Sequence, residues 1–348
     1  MKGVVSMKRI KDIMNFIQDE TDYRKISSEK FRKRSYGNKN IHKKFKVLCN
    51  RNPLANKQGL ISTIFLILPN IIEAREHGYI PVIDLCMNSH PSIMFQEREL
   101  AKKENAWEYY FTQPDKEWTL GEVRQSRHVE EQRKYYCSEK YRLSSRSFQW
   151  DDNIEYISMA IRKNIHLQSW IRDRVISERS RIFSKQDKIL GVAIRSGYRS
   201  GIMRNLSIYE GHPLVESCEY YISEIEKRLS EWGYNSFFLE IDDRGYLEEI
   251  KRYFGSSCIY FERPRLHYFK DALGDIPYEK TDDIFMELKE CPIRQQNEEY
   301  LVGLYLLAQC DSLYASRGTG HNFAYLLNHN KFSHVEFVES EEFHYEKK

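Results

Sequence analysis

Residues 188–213, KILGVAIRSGYRSGIMRNLSIYEGHP, decide how the chain is read. The apolar run 189–194 has the length of a buried strand, and Gly197, Arg199 and Gly201 follow it at once as marks of a loop. Such a loop lies at the strand's carboxyl end, which is where ligands sit in an open α/β sheet. It carries Arg195, Arg199 and Arg204. A guanidinium beside small residues suits a bidentate grip on phosphate or carboxylate. An ion pair with a structural carboxylate is the alternative use of Arg195.

Downstream of this stretch the α/β rhythm continues. A helical pattern spans 215–232 and ends at Gly233. Strand 237–241 (FFLEI) follows, with Asp242 and Asp243 at its tip, then a short helix over 246–253 and a strand over 258–261. The spacing predicts a helix over 300–308, a strand over 312–316, a glycine-rich turn at 318–320 and a helix over 321–327. Successive β-α units of this kind make a doubly wound domain.

The first half begins with a basic run, residues 24–46, in which ten lysines and arginines face the single acid Glu29. Such a run suits either the anionic face of a membrane or a solvated segment along the first domain. A strand over 46–50, a helix over 60–76 closed by His77-Gly78, and a strand over 81–85 form a parallel βαβ crossover. The loop at Gln58 and Gly59 then lies at the sheet's carboxyl edge. Beyond Asp84 the chain turns irregular and aromatic, and 153–183 returns to helical spacing as the helix expected to end the first domain, with a linker at 185–188.

Composition narrows the classes. With 348 residues, two domains are expected. A net charge of +3 argues against a dedicated nucleic-acid binder, and the basic run matches no RNA- or DNA-binding motif. Seven cysteines without a C-x-x-C pair give neither a disulfide framework nor a zinc ribbon, and read as reduced thiols of a cytosolic protein. The opening MKGVVSMKRIKDIMNF does not read as a secretory signal, and the longest apolar run, 60–72, is too short to span a bilayer.

In SLYASRGTGHNFAYLL, residues 312–327, a strand ends in Ser316, Arg317, Gly318, Thr319 and Gly320 just before a helix. Free N–H groups there, beside small residues and a hydroxyl, form an anion cradle. A purely structural glycine turn is the alternative.

The order and spacing of six segments resemble the fucosyltransferase superfamily of GT-B glycosyltransferases, which includes α-1,6-fucosyltransferases, nodulation-factor fucosyltransferases and bacterial surface-polysaccharide relatives. The segments are HGYIPVIDL (77–85), ENAWEYYFTQP (104–114), GVAIRSGYRSG (191–201), EGHP (210–213), FFLEIDD (237–243) and LYLLAQCDSLYASRGTG (304–320). The resemblance implies an α/β, GT-B-like fold of two Rossmann-like domains facing a cleft. It sets a basic leader at 1–45, an acceptor-side domain at 46–186 and a nucleotide-sugar domain at 187–348. It implies a GDP-sugar donor, GDP-fucose above all, with Arg195 on the diphosphate and Ser316, Gly318, Thr319 and Gly320 completing that site; Tyr198, Arg199 and Asp242 are further donor-side candidates. Transfer is then inverting and needs no metal, because arginine and backbone N–H groups neutralise the leaving diphosphate. The expected acceptor is a glycan or a lipid-linked saccharide, handled in the cytoplasm or at the inner membrane face. Two positions depart from the family pattern: Ala193 stands where a histidine is usual, and no acid follows Arg195 closely.

The base that takes the acceptor proton is left open among Glu210, His212 and Asp84. For Glu210 the alternative is a carboxylate at a helix start, and for His212 a plain loop residue beside Pro213. Two competing readings remain. Glu240-Ile241-Asp242 resembles the acidic triplet by which metal-dependent GT-A transferases hold a divalent cation. The departures from the family motif also suit a catalytically inactive nucleotide- or glycan-binding protein.

Overall fold

The computed structural model describes residues 31–51, 59–86, 98–132, 135, 154–183, 188–194, 217–265, 291–316, 318–328 and 331–338. Contacts divide the chain into two compact units: Met1–Ser144 with Ala160–Gln168, and Ser145–Met159 with Ser169–Lys348.

The first unit runs β1 (Phe31–Arg34), β2 (Phe45–Leu48), α1 (Leu60–Glu76), β3 (Ile80–Ile83), α2 (Arg98–Ala101), α3 (Ala106–Tyr110), α4 (Leu120–Val123) and β4 (Val129–Gln132). Its sheet order is β1-β4-β2-β3, with β2 parallel to both β3 and β4, and β1 antiparallel to β4. Helix α1 buries residues around its whole circumference, Leu60, Ile61, Ile64, Phe65, Ile67, Leu68 and Ile71 among them, as a crossover helix of a βαβ unit does. It stops at His77-Gly78, where Gly78 takes φ +74°.

Strand β3 is an edge, and side-chain amides cover it. Gln113 Oε1 accepts from Ile83 N–H at 2.8 Å and its Nε2 donates to Ile83 O at 2.9 Å. Asn105 Nδ2 donates to the same carbonyl at 2.7 Å, while its Oδ1 accepts from Leu85 N–H at 2.9 Å and caps α3 through Trp107 N–H at 3.2 Å. The aromatic segment after Asp84 therefore satisfies backbone groups that a neighbouring strand would otherwise bind.

Helix α5 (Ile154–Asn164) is followed in the second unit by α6 (Ser169–Ile182), β5 (Leu190–Ile194), α7 (Cys218–Trp232), β6 (Phe237–Ile241), α8 (Arg244–Phe254), β7 (Cys258–Tyr260), α9 (Ile293–Leu307), β8 (Ser312–Ser316), α10 (Thr319–Asn328) and β9 (Val335–Val338). All five strands are parallel in the order β7-β6-β5-β8-β9. This is the doubly wound, Rossmann-like order, reversing direction between β5 and β8. Leu190, Val192, Ile194, Phe237, Leu239 and Ile241 lie in one core with Tyr221, Ile225, Leu247 and Ile250 of the covering helices. Each such burial is worth about 1.5–3 kcal/mol.

The structure differs from the expected pattern at several points. Residues 31–45 do not stand apart as a leader, because β1 pairs with β4 inside the first sheet. The contact division falls at 168/169 rather than at 186, and residues 145–159 go with the second unit. The single helix expected over 153–183 is two. Between them Leu167 bridges Phe111, Thr112 N–H donates to His166 O at 2.9 Å and Gln168 N–H to Tyr110 O at 3.0 Å, so the backbone leaves the helix to pair elsewhere. Helix α6 stays with the second unit through Arg174, whose guanidinium grips Glu298 and Glu299 of α9. Finally, β1, β4 and β9 are strands that the pattern did not predict, and α9 begins seven residues earlier than its spacing suggested.

Candidate functional site

Because the second sheet is wholly parallel, the residues that follow β5, β6, β7 and β8 gather at one edge. At the reversal, Ser316 Oγ donates to Ala193 O at 3.4 Å, joining the end of β8 to the end of β5 two residues before Arg195. Gly318 O accepts the N–H of Asn322 at 2.9 Å, which makes Gly318 the residue from which α10 starts. Thr319 and Gly320 form the first turn of that helix, with their N–H groups toward its open end.

His321 fixes this turn. Its Nδ1 lies 2.7 Å from Ser316 O and 3.4 Å from Ser316 Oγ, and the residue is 8% exposed. A carbonyl only accepts, so Nδ1 carries the proton. Gly320 has a packing reason of its own: a side chain there would collide with the Tyr300 hydroxyl of α9. The glycine thus lets α9 and the start of α10 approach closely.

The loop after β7 adds two buried arginines. Arg263 Nη2 donates to Glu240 Oε1 at 2.6 Å and to Ile241 O at 3.0 Å, with Glu240 1% exposed. Arg265 donates to Ile241 O at 3.2 Å, Arg263 O at 3.1 Å and Phe261 O at 2.7 Å. Burial, then the charge of Arg263, pushes the Arg265 guanidinium down to about 10. Together they tie the carboxyl ends of β6 and β7. Asp243 caps α8, accepting from Tyr246 N–H at 3.1 Å, and Asp242 stands half-buried between cap and strand.

Of the predicted site residues, Ser316, Gly318, Thr319, Gly320 and Asp242 lie together at this edge. Arg195, Tyr198, Arg199, Glu210 and His212 lie outside the described residues. Asp84 ends β3 at the carboxyl edge of the first sheet, 3% exposed. Its Oδ1 accepts from Cys86 N–H at 3.0 Å and its Oδ2 from Arg124 Nη2 at 3.1 Å, so both oxygens are engaged, an arrangement unlike that of a waiting base. In the acidic triplet Glu240 pairs with Arg263 through Oε1. Among the described residues no group of histidines, cysteines and acids could hold a metal ion.

Sequence reasoning passed over Arg263, Arg265, Tyr300 and His321. For His321 a signal existed, a histidine five residues beyond the strand-ending Ser316, within reach of its carbonyl. The two arginines follow a three-residue strand in a polar stretch, and nothing local marks them as buried.

No protein-family model matches the chain, and no curated protein does. Among solved structures the chain is similar to NodZ alpha-1,6-fucosyltransferase co-crystallised with GDP, at 14% identity and a TM-score of 0.44 over 82% of this chain and 93% of that one. It is also similar to fucosyltransferase NodZ from Bradyrhizobium, at 13% identity, a TM-score of 0.44 and the same coverage. POFUT1 in complex with GDP is a further similar structure, at 10% identity and a TM-score of 0.45 over 84% of this chain and 98% of that one.

Proposed function

We propose that the chain is a glycosyltransferase that transfers a sugar, fucose by the resemblance of its motifs, from a GDP-sugar to a glycan or lipid-linked saccharide. One observation carries the reading: Ser316 and Ala193 are bonded across the strand-order reversal. In parallel α/β sheets that reversal opens a crevice for ligands. Here it brings the start of α10 beside the root of the Arg195 loop.

In this reading the diphosphate lies on the N–H groups of Gly318, Thr319 and Gly320 and on the Thr319 hydroxyl, which point along the positive end of the helix. Arg195 grips it as a fork, with Tyr198 and Arg199 beside it. The acceptor oxygen attacks the anomeric carbon from the face opposite the nucleotide, the carbon–oxygen bond to the diphosphate breaks, and the diphosphate leaves with its added charge held by these donors. A base removes the acceptor proton, and Glu210 and His212 are the residues assigned to that step. His321 orients the turn through Ser316.

A thermal-shift series with GDP, UDP, ADP, CMP and their sugars tests the proposal. Saturating GDP or GDP-fucose should raise the melting temperature selectively, since a hundredfold excess over Kd adds about 2.7 kcal/mol. Arg195→Ala should remove that shift and most transfer activity while its ligand-free melt is unchanged. Stabilisation by UDP compounds alone would replace the donor, and indifference to every nucleotide would end the transferase reading. Full transfer in the presence of chelator is expected; its loss would return the metal-dependent alternative.

A further inference from the structure

Strands β2, β3 and β4 run the same way, so the segments that precede them, 39–44, 77–79 and 125–128, meet at the amino edge of the first sheet, opposite Asp84. Strand β1 runs antiparallel with Arg34 opposite Val129, and its loop leaves at the same edge. Lys39, His42, Lys43, Lys44, Arg127 and His128 are all exposed there. Among the described residues Lys43, Lys44 and Arg127 form no ion pair. Acids near this edge include Glu76, at the end of α1, Glu122, which accepts from Thr119 in the cap of α4, and Glu130, which accepts from the Tyr79 hydroxyl. Two members of the basic run are spent elsewhere, Lys46 on Glu130 at 3.3 Å and Arg34 on Glu131 at 3.4 Å.

The loop that presents these charges is pinned. Tyr36 N–H donates to Ser126 O at 3.0 Å, Lys39 N–H to Gln125 O at 3.1 Å and Arg127 N–H to Lys39 O at 3.1 Å. Asn40 takes φ +53°, donates to Ser126 Oγ at 2.9 Å and accepts from Lys43 N–H at 2.9 Å. At Gly37 a Cβ would stand 2.5 Å from Gln125 O, so only glycine lets the two backbones approach this closely. At the tip of this fixed turn Ile41 is 46% exposed, flanked by lysines and a histidine.

We infer that this amino edge docks on an anionic lipid bilayer, with Ile41 entering the headgroup region and Lys39, Lys43, Lys44 and Arg127 on the phosphates. Long cationic side chains around one aliphatic residue suit an interface that is anionic outside and apolar beneath. A polynucleotide would use the charges and leave Ile41 in water; the described aromatic of the loop, Tyr36, has its hydroxyl committed to Glu131. Docking at this edge leaves the carboxyl edge of the same sheet open. The inference rests on the first unit alone and stands whether or not the donor reading holds.

Co-sedimentation of the full chain with vesicles tests it. Binding is expected to phosphatidylglycerol-rich vesicles, weakened by salt, and not to pure phosphatidylcholine. Lys43→Gln and Lys44→Gln should each weaken partitioning about fivefold, the value of one basic residue near an anionic surface. Ile41→Asp should weaken it further at fixed salt. All three residues are exposed, so the melting temperature should stay that of the parent. Equal binding to both vesicle types, binding that all three variants leave intact, or retention on single-stranded DNA without retention on vesicles would each overturn the inference.

Discussion

His321 shows how one side chain can fix a backbone turn at the sheet's carboxyl edge. Its Nδ1 proton goes to Ser316 O, so the ring holds the last residue of β8 against the first turn of α10. Asparagine can place an N–H where the imidazole Nδ1 stands, whereas glutamine places its donor one bond farther out. His321→Asn should therefore keep GDP affinity close to the parent's, while His321→Gln should lose about fivefold, the worth of one net hydrogen bond of about 1 kcal/mol. Calorimetric titration with GDP separates them. Equal affinities for both variants, with GDP still bound by the parent, would discard the positioning role and leave the donor reading standing. The histidine is visible in the sequence, but its role is not, because a ring nitrogen's partner depends on where the backbone turns.

At the scale of elements, the carboxyl ends of β6 and β7 depend on a buried ion pair. Arg263→Met would leave Glu240 buried without its cation, and removing one partner of such a pair costs about 3–5 kcal/mol. Adding Glu240→Gln removes the stranded charge, so the double variant should recover a large part of that loss in urea melts. A double variant as unstable as Arg263→Met alone would show that the pair is not what ties these strands. Charge pairing also explains why β1 and β4 escaped the sequence pattern. β1 reads FRKR and β4 reads VEEQ, with none of the alternation expected of a half-buried strand. Their charges answer each other across the fold: Arg34 on Glu131, Lys46 on Glu130, and the Tyr36 hydroxyl on Glu131. Arg34 and Glu131 are 97 residues apart, so no local window contains the reason for the strand.

Across the whole molecule, the described cysteines, Cys49, Cys86, Cys218, Cys258, Cys291 and Cys310, are all free. Burial above all pushes the thiols of Cys49 and Cys258 up to about 12, with the charge of Asp84 adding to the effect at Cys49. A thiol raised in the folded state stabilises fully below its unfolded value near 9. That contribution is lost as pH climbs from there toward 12, because the unfolded chain ionises first. Each such thiol should lower stability by about 1.4 kcal/mol per pH unit in that window. Melting temperature should fall steeply above pH 9, and Cys49→Ala should flatten the slope; an unchanged slope would mean that this thiol ionises in the native state. The sequence by itself determined the β2-α1-β3 crossover, the alternation of strands and helices from β5 to β8, the glycine stops at Gly78 and Gly233, and the turn that starts α10, because these follow from local periodicity and backbone freedom. Only the tertiary structure decided the strand order, the break between α5 and α6, which arginines are buried and which lysines face water. Those outcomes hang on hydrogen bonds and ion pairs between residues far apart in the chain, and such partners are chosen when the sheets assemble.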